Sequence, residues 1–553
     1  MVDSPAVPRD ERQVSREPER AATRGWTVPD LAILALAAVL ATIPRTVNLL
    51  GMDPFVDEAA ALDWALRLFE PTSPRTWLLS MLTDGRPPLY FWLLVPFSAA
   101  IDNGFLAGRL LAALADVLCV LALYVLGREL ASRTVGTLTA ILWALSPFPI
   151  FFSRIAVDDS LLTLMAVLTT LASVRLARRP TVMAGALCGL SLALTVLVKT
   201  NGALLAIAPP LAIVVLGRPL AWREYVHPVG AAIVAGLVAS VPLLLGVVPL
   251  LQQVSLHTGS ADRASGHFLV RNADVAAGWL ETYVGNRLLL AASAGTVLAL
   301  LFRQRGMLFV ALLGTTLAAL ILDVSAALFA RRLLLPAYPA YLLAAYAIER
   351  VASLAGRGLG AIGVRDGQIR LVAGAVVAAV GLGAILGERA ELAVAVVRDP
   401  AGAKIPGSEH MQYFENWFAV YGLGRVAEEL RAQARERPVT VLVPPASREN
   451  RMIVPYAALR YYLRRDPAVR FVEAPSLWRA QDLRELRRLT RDGPTFLVVN
   501  GSYTPAAGMP NDAPAYTRQL ERRLAQDVPS AREVLRIPRP TEPNWLSLYR
   551  LDE

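Results

Sequence analysis

Pro88-Leu89-Tyr90-Phe91-Trp92-Leu93-Leu94-Val95-Pro96-Phe97-Ser98-Ala99-Ala100-Ile101 is the stretch on which the topology of this chain turns. It is almost wholly apolar, but short. A membrane-spanning helix needs roughly 20 residues, and apolar runs of about 10–14 more often lie at the interface or re-enter. Pro87, Pro88 and Pro96, with Tyr90, Phe91 and Trp92 among them, suit a helix at headgroup depth, where aromatic rings gather.

Loop charge tests that choice. With 88–101 at the interface, the arginine-bearing links share one side: Arg128 and Arg133; Arg175, Arg178 and Arg179; Arg218 and Arg223; Arg303 and Arg305; Arg350, Arg357, Arg365 and Arg370. The N-terminal tail, with Arg9, Arg12, Arg16, Arg20 and Arg24, joins them there, as the positive-inside rule requires. With 88–101 spanning, every later link flips and the bias reverses. The sequence therefore predicts eleven spans, near 28–48, 106–127, 134–153, 160–177, 181–198, 203–217, 229–250, 284–302, 306–323, 328–348 and 370–388. The N-terminus is then cytoplasmic and the C-terminus outside.

Composition agrees with a multi-pass membrane protein. Of 553 residues, 55% are hydrophobic, and the mean hydropathy of +0.46 is rare for a soluble domain. The net charge of +10 does not point to nucleic acid, because the arginines sit in the links, where they set topology. Cys119 and Cys188 both fall in apolar runs and build neither a disulfide framework nor a zinc motif. Residues 1–27 are polar, and no small-residue cleavage site follows the apolar run after them. They read as a disordered cytoplasmic tail.

Residues 28–388 form the membrane domain, with outer loops at 49–105 and 251–283. Beyond Glu388 the composition changes and charge becomes dense. Strands are expected at Val439–Val443, Val469–Glu473, Thr495–Asn500 and Trp545–Leu551. Helices are expected at Ala457–Arg464, Asp482–Arg491 and Tyr516–Gln526. This alternation predicts an extracytoplasmic α/β domain over 389–553. Gly422-Leu423-Gly424 follows no strand and reads as a turn rather than a phosphate loop. The aromatic segment with Tyr413, Phe414, Trp417, Phe418 and Tyr421 is expected to pack onto the membrane surface.

The outer face collects the residues able to do chemistry. Met52-Asp53-Pro54-Phe55-Val56-Asp57-Glu58-Ala59 follows the first span and places two adjacent carboxylates at the membrane edge. The plain reading is that they cap the next helix, since acids favour helix N-termini. Yet ionisable residues at a membrane are costly and functional by default. Arg154, Asp158, Asp159, Lys199, Arg331 and Arg332 fall on the same face. The basic ones either snorkel to headgroups or bind an anion. Arg86 and Arg154 serve equally well as partners of the acids. Asp116, inside the second span with no basic residue a turn away, reads as a structural interhelical contact.

Val56-Asp57-Glu58-Ala59 after a first span, Arg86-Pro87-Pro88-Leu89-Tyr90, and Ser153-Arg154 followed by Asp159 resemble motifs of the C-type (GT-C) glycosyltransferases. The likeness is nearest to the protein O-mannosyltransferase and lipid A aminoarabinose transferase group. Val198-Lys199-Thr200-Asn201-Gly202 and Arg332-Leu-Leu-Leu-Pro336-Ala-Tyr338-Pro339 resemble two later motifs of that group, so the likeness covers residues 28–350. It implies transfer of a hexose or pentose from a polyprenyl-phosphate donor to a hydroxyl of a protein, lipid or glycan acceptor, with inversion, at the outer face of the membrane; the short links and arginine-rich, cysteine-poor usage point to a plasma membrane. Carried over, Asp57 is the general base, Glu58 orients the acceptor or tunes Asp57, and Asp159, with Asp158, helps shape the same pocket or holds a cation. Asp158, Arg86, Tyr90, Arg154, Lys199, Arg331 and Arg332 bind substrate. Some relatives use a divalent metal cation, for which His257 and His267 are the donors at hand. Their spacing fits no tight ligand motif, and a solvated loop histidine is the plainer reading. Tyr90, Trp92 and Tyr338 serve the lipid tail or an aromatic belt alike.

A transporter of a lipid-linked or small polar substrate is the alternative. It calls for internal repeats and charges near the bilayer midplane. The sequence shows no repeat, and its charges gather at one face.

Overall fold

A computed structural model describes residues 26–68, 76–78, 80–81, 85–217, 222–248, 251, 268–325, 328–362, 364–415, 419–443, 454–473, 493–501, 522, 524–526, 528–540 and 545–552. The chain forms two compact units. One comprises residues up to 47, 113–150 and 158–393; the other comprises 48–112, 151–157 and 394 onward.

The first unit is helical. Each of the eleven apolar stretches holds helix. Among the described residues, five helices are long and apolar enough to cross a membrane: Val28–Thr46, Gly104–Leu130, Asp159–Arg178, Arg305–Val324 and Gly367–Glu388. Two bent pairs raise the number to seven. Helix Gly367–Glu388 turns large apolar residues outward, with Leu371 74% and Val380 65% exposed, as suits lipid contact.

The stretch 134–153 is broken into Arg133–Leu145 and Pro147–Ser153, bent by 58°. Pro147 has no N–H to give to the carbonyl of Trp143, and in lipid a freed backbone group must find another partner. Arg45 supplies it. Its Nη2 donates to Trp143 O at 3.4 Å and its Nη1 to Ala144 O at 2.8 Å, while Nε donates to Asp116 Oδ2 at 2.6 Å. Trp143 Nε1 donates to the other oxygen of Asp116 at 2.9 Å. Asp116 is thus an interhelical contact, and its basic partner comes from 71 residues away.

Close helix approach depends on small residues, as membrane packing does generally. A Cβ on Gly185 or Gly189 would lie 1.9 Å from Pro228 O or 1.8 Å from Ala232 O. The helix Val182–Val198 therefore rests backbone to backbone on Val226–Ala239. Part of the segment expected as outer loop 251–283 is helical: Phe268–Tyr283 buries Asn272, Ala276, Trp279 and Tyr283. Its polar residues hid that stripe from a reading by hydropathy.

The second unit holds a five-stranded sheet of order β2-β1-β3-β5-β4. β1 (Val439–Val443) runs parallel to β2 (Val469–Glu473) and β3 (Thr495–Gly501). β5 (Trp545–Arg550) pairs antiparallel with β3 and with β4 (Arg532–Pro538). The edge strand β4 was not expected, because its charged residues and mostly exposed pattern mask the alternation that marks a half-buried strand. Leu442, Leu497, Val499, Leu524 and Leu551 form a core beside the sheet. The expected helix at 482–491 and most of the one at 516–526 lie outside the described residues.

Helix Val454–Tyr462 packs on helix Val56–Arg67. Nearby, Gly104 N–H donates to Tyr461 Oη and the Tyr461 ring meets Phe105 edge-on at 4.9 Å. Tyr413 and Phe414 do not lie on a membrane surface as expected. They are 2% and 1% exposed, and the Tyr413 ring packs tilted against Phe55 at 4.7 Å and meets Phe151 edge-on at 5.3 Å. Trp417 and Phe418 lie outside the described residues.

Candidate active site

Helix Val56–Arg67 begins where Phe55 runs extended into it. Glu58, in the first turn, turns its side chain back and accepts the Phe55 N–H at Oε2, 2.6 Å away. That is the glutamate half of a capping box. Its carboxylate is fully buried and accepts three more donors: Arg109 Nε at 2.8 Å and Ala156 N at 2.7 Å on Oε1, and Arg109 Nη2 at 3.0 Å on Oε2. Arg109 Nη1 donates to Leu49 O at 2.8 Å and Met52 O at 2.7 Å. A two-pronged guanidinium–carboxylate pair of this kind fixes geometry as well as charge. Glu58 is therefore the knot of the segment, with no lone pair turned outward for an acceptor.

Asp57 is arranged differently. Its side chain is 16% exposed, and Oδ1 lies 3.3 Å from Arg86 Nη2. Arg86, 31% exposed, also sits over the Trp64 ring at 5.3 Å. One neighbour in sequence thus caps and anchors while the other keeps an accessible carboxylate steadied by a cation. An ionised carboxylate so placed can take a proton from a hydroxyl that comes within hydrogen-bond reach.

The first unit carries a separate charged cluster. Asp159 opens helix Asp159–Arg178, and Lys199 closes helix Val182–Val198. Lys199 Nζ donates to Asp158 Oδ1 at 2.8 Å and to Asp159 Oδ1 at 2.7 Å. Arg331 Nε stands 3.7 Å from Asp159 Oδ2, an oxygen with no hydrogen-bond donor among the described residues. Arg332 Nη1 donates to Ser325 Oγ at 3.3 Å, and both arginines lie over the Phe329 ring at 5.2 Å. Lys199, Arg331 and Arg332 against Asp158 and Asp159 leave a positive excess, which favours an anion.

The remaining expected residues have quieter surroundings. Arg154 is buried, and its Nη2 donates to two main-chain carbonyls, Asn48 O at 2.7 Å and Val397 O at 3.4 Å. Tyr90 is 1% exposed with its ring edge-on to Phe91 at 5.6 Å. His257 and His267 lie outside the described residues. Among the described residues, no group of three His, Cys, Asp or Glu side chains converges to hold a metal ion. Sequence reasoning missed Arg109 and Arg45, although a lone arginine in an apolar run is itself the signal.

A family model described as dolichyl-phosphate-mannose-protein mannosyltransferase matches residues 85–245. Arg86, Tyr90, Arg154, Asp158, Asp159 and Lys199 fall inside that segment; Asp57 and the two arginines at 331 and 332 fall outside it. No curated protein sequence matches the chain. Among solved structures, ArnT from Cupriavidus metallidurans matches in the apo state and bound to undecaprenyl phosphate, with TM-scores of 0.54 and 0.55. Both share 15% identity and cover 94% of this chain and 97% of ArnT. The chain resembles the C-type glycosyltransferases. The ArnT match extends over nearly the whole length, well past the family-model segment.

Proposed function

We propose that the protein transfers a sugar from a polyprenyl-phosphate donor to a hydroxyl acceptor at the outer face of a plasma membrane, with inversion at the anomeric carbon. The observation that carries the reading is the accessible Asp57 carboxylate beside a fully engaged Glu58. Asp57 takes the acceptor proton as its oxygen attacks the anomeric carbon and the bond to the donor phosphate breaks. Removing a general base of this kind lowers turnover by roughly 10²–10⁴-fold. Glu58 acts through position, by holding the turn that carries Asp57.

The leaving group is a phosphate monoester on a lipid, so it gains negative charge as the bond breaks. Lys199, Arg331 and Arg332 meet that charge, as preorganised cations do most effectively away from bulk water. Asp158 and Asp159 orient Lys199. The role of a divalent cation is decided by chelation, and these cations make activity in EDTA the expected result.

The topology that goes with this reading has eleven spans, a cytoplasmic N-terminus and an extracytoplasmic C-terminal domain. With Cys119 and Cys188 replaced, Arg179→Cys and Arg437→Cys should label from opposite sides of the membrane. Labelling from one side removes the eleven-span arrangement. The function is tested by sugar release from radiolabelled polyprenyl-phosphate donors of varied sugar. The native protein should turn over at least one, and Asp57→Asn should not. Normal turnover by Asp57→Asn removes the base assignment, and a native protein inert to every donor removes transfer itself.

A further inference from the structure

One cavity takes no part in the roles given above. It lies in the second unit, encloses about 450 Å³, and is lined by Asp53, Tyr421, Arg425, Glu428, Ile537 and Pro538, with the backbone of Gly422 and Gly424 between them. Volumes of this order are usual for small-molecule sites. The turn at its wall is forced by sequence. Gly422 has φ +87°, and a Cβ there would meet Ile537 Cγ2 at 3.0 Å, whereas Gly424 opens onto empty space. Main-chain groups are thereby brought to the cavity surface.

The cavity is fixed to the segment that carries Asp57. Gly422 N–H donates to Asp53 Oδ2 at 3.0 Å, Val420 N–H to Pro54 O at 3.2 Å, and Phe55 forms a bridge with Ala419. Asp53 and Asp57 are four residues apart, so their backbones lie within ~14 Å at full extension. A short oligosaccharide spans that distance.

The lining chemistry selects the ligand. An anion would meet two carboxylates, Asp53 and Glu428. The two carboxylates outnumber Arg425, but the Gly422 N–H already holds one oxygen of Asp53, and a cation would still meet the Arg425 charge. An apolar ligand would strip water from all of them without replacing their hydrogen bonds. A hydroxyl suits both kinds of group, since it donates to carboxylate and accepts from guanidinium. Tyr421, Ile537 and Pro538 add a surface for the C–H face of a sugar ring. We propose that this cavity binds a neutral glycosyl unit; resting on the transfer reading above, that unit is the sugar of a glycan acceptor.

The test uses the full-length protein in nanodiscs, with methyl α-mannoside, methyl α-glucoside and methyl α-galactoside as probes in saturation-transfer NMR. At least one should bind the native protein. Glu428→Gln and Arg425→Leu should each weaken it about ten-fold or more, the loss of one charge-assisted hydrogen bond. Asp57→Asn should bind it as native does. Absence of binding to natively folded protein overturns the proposal, and so does binding unchanged in both cavity variants. If no polyprenyl-phosphate donor is turned over while the glycoside still binds and both variants weaken it, transfer fails and the cavity stands. If transfer depends on Asp57 and the glycoside ignores both variants, the cavity fails and transfer stands.

Discussion

Arg109 holds Glu58 through two hydrogen bonds, Nε to Oε1 at 2.8 Å and Nη2 to Oε2 at 3.0 Å, with both side chains buried. That pair separates two carboxylates that are neighbours in sequence. Removing one partner of a buried pair costs roughly 3–5 kcal/mol, because the other charge is left uncompensated. Glu58→Ala should therefore lower the melting temperature or abolish folding, whereas Asp57→Asn should melt like the native protein and lose turnover. Nano-differential scanning fluorimetry beside a transfer assay separates the two effects. Equal loss of stability in both variants would refute the division of roles.

The charged cluster at Lys199 makes a kinetic prediction. Charge-assisted hydrogen bonds are worth about 1.5–3 kcal/mol, and Lys199 makes two, to Asp158 and Asp159. Lys199→Met should lower kcat/KM for a polyprenyl-phosphate donor by about ten- to hundred-fold, and Lys199→Arg should restore part of it. Unchanged kinetics in Lys199→Met would show that the lysine only closes its helix.

Arg45 and Asp116 are both buried, and Arg45 also serves the carbonyls freed at Pro147. Arg45→Met should destabilise the protein by roughly 3–5 kcal/mol by the same uncompensated-charge argument. Adding Asp116→Leu removes that stranded carboxylate and should recover part of the loss. The carbonyls of Trp143 and Ala144 stay without their donor, so recovery should be incomplete. A double variant no more stable than the single would mean that the acid does not set the penalty.

Much of the helical scaffold was legible because apolar runs report directly on it, and each of the eleven stretches holds helix. The breaks inside those runs were less so. Pro147 announces a kink, but only Arg45, roughly a hundred residues earlier, explains how lipid tolerates it. The motif Asp57-Glu58 was visible, yet nothing local says which acid caps. That is decided by Arg109, which lies 51 residues on in an apolar run. The β4 strand and the helix Phe268–Tyr283 escaped notice for a shared reason. Each presents charged or polar residues over a narrow buried stripe, and hydropathy averages the stripe away.

The contact between helices Val182–Val198 and Val226–Ala239 leaves no room for a methyl group at two positions. Gly185→Ala and Gly189→Ala should each lower stability by at least the roughly 1–3 kcal/mol typical of overpacking, since backbone oxygens are what they strike. Gly230 faces open space and Gly236 has its nearest neighbour at 3.4 Å. Gly230→Ala and Gly236→Ala should therefore be tolerated. Thermal melts of the four variants in one detergent check the ranking, and sensitivity at Gly230 equal to that at Gly189 would contradict it.

Asp53 gives the pH dependence. Burial pushes its carboxyl above the ordinary 3.8, against the lowering effects of Gly422 N–H and the charges of Arg109 and Arg539. A carboxyl whose folded value exceeds its unfolded value binds its proton more readily in the folded state. Its contribution to stability is then greatest below 3.8 and declines as pH rises through the folded value. Asp53→Asn removes that decline and keeps an amide oxygen to accept the Gly422 N–H. The variant should melt above the native protein at neutral pH, and the difference should shrink as pH falls toward 4, the ordinary carboxylate range. Melting curves for both proteins from neutral to acid pH measure it. A gap that does not change with pH would mean that Asp53 has the same affinity for its proton in the folded and unfolded chains.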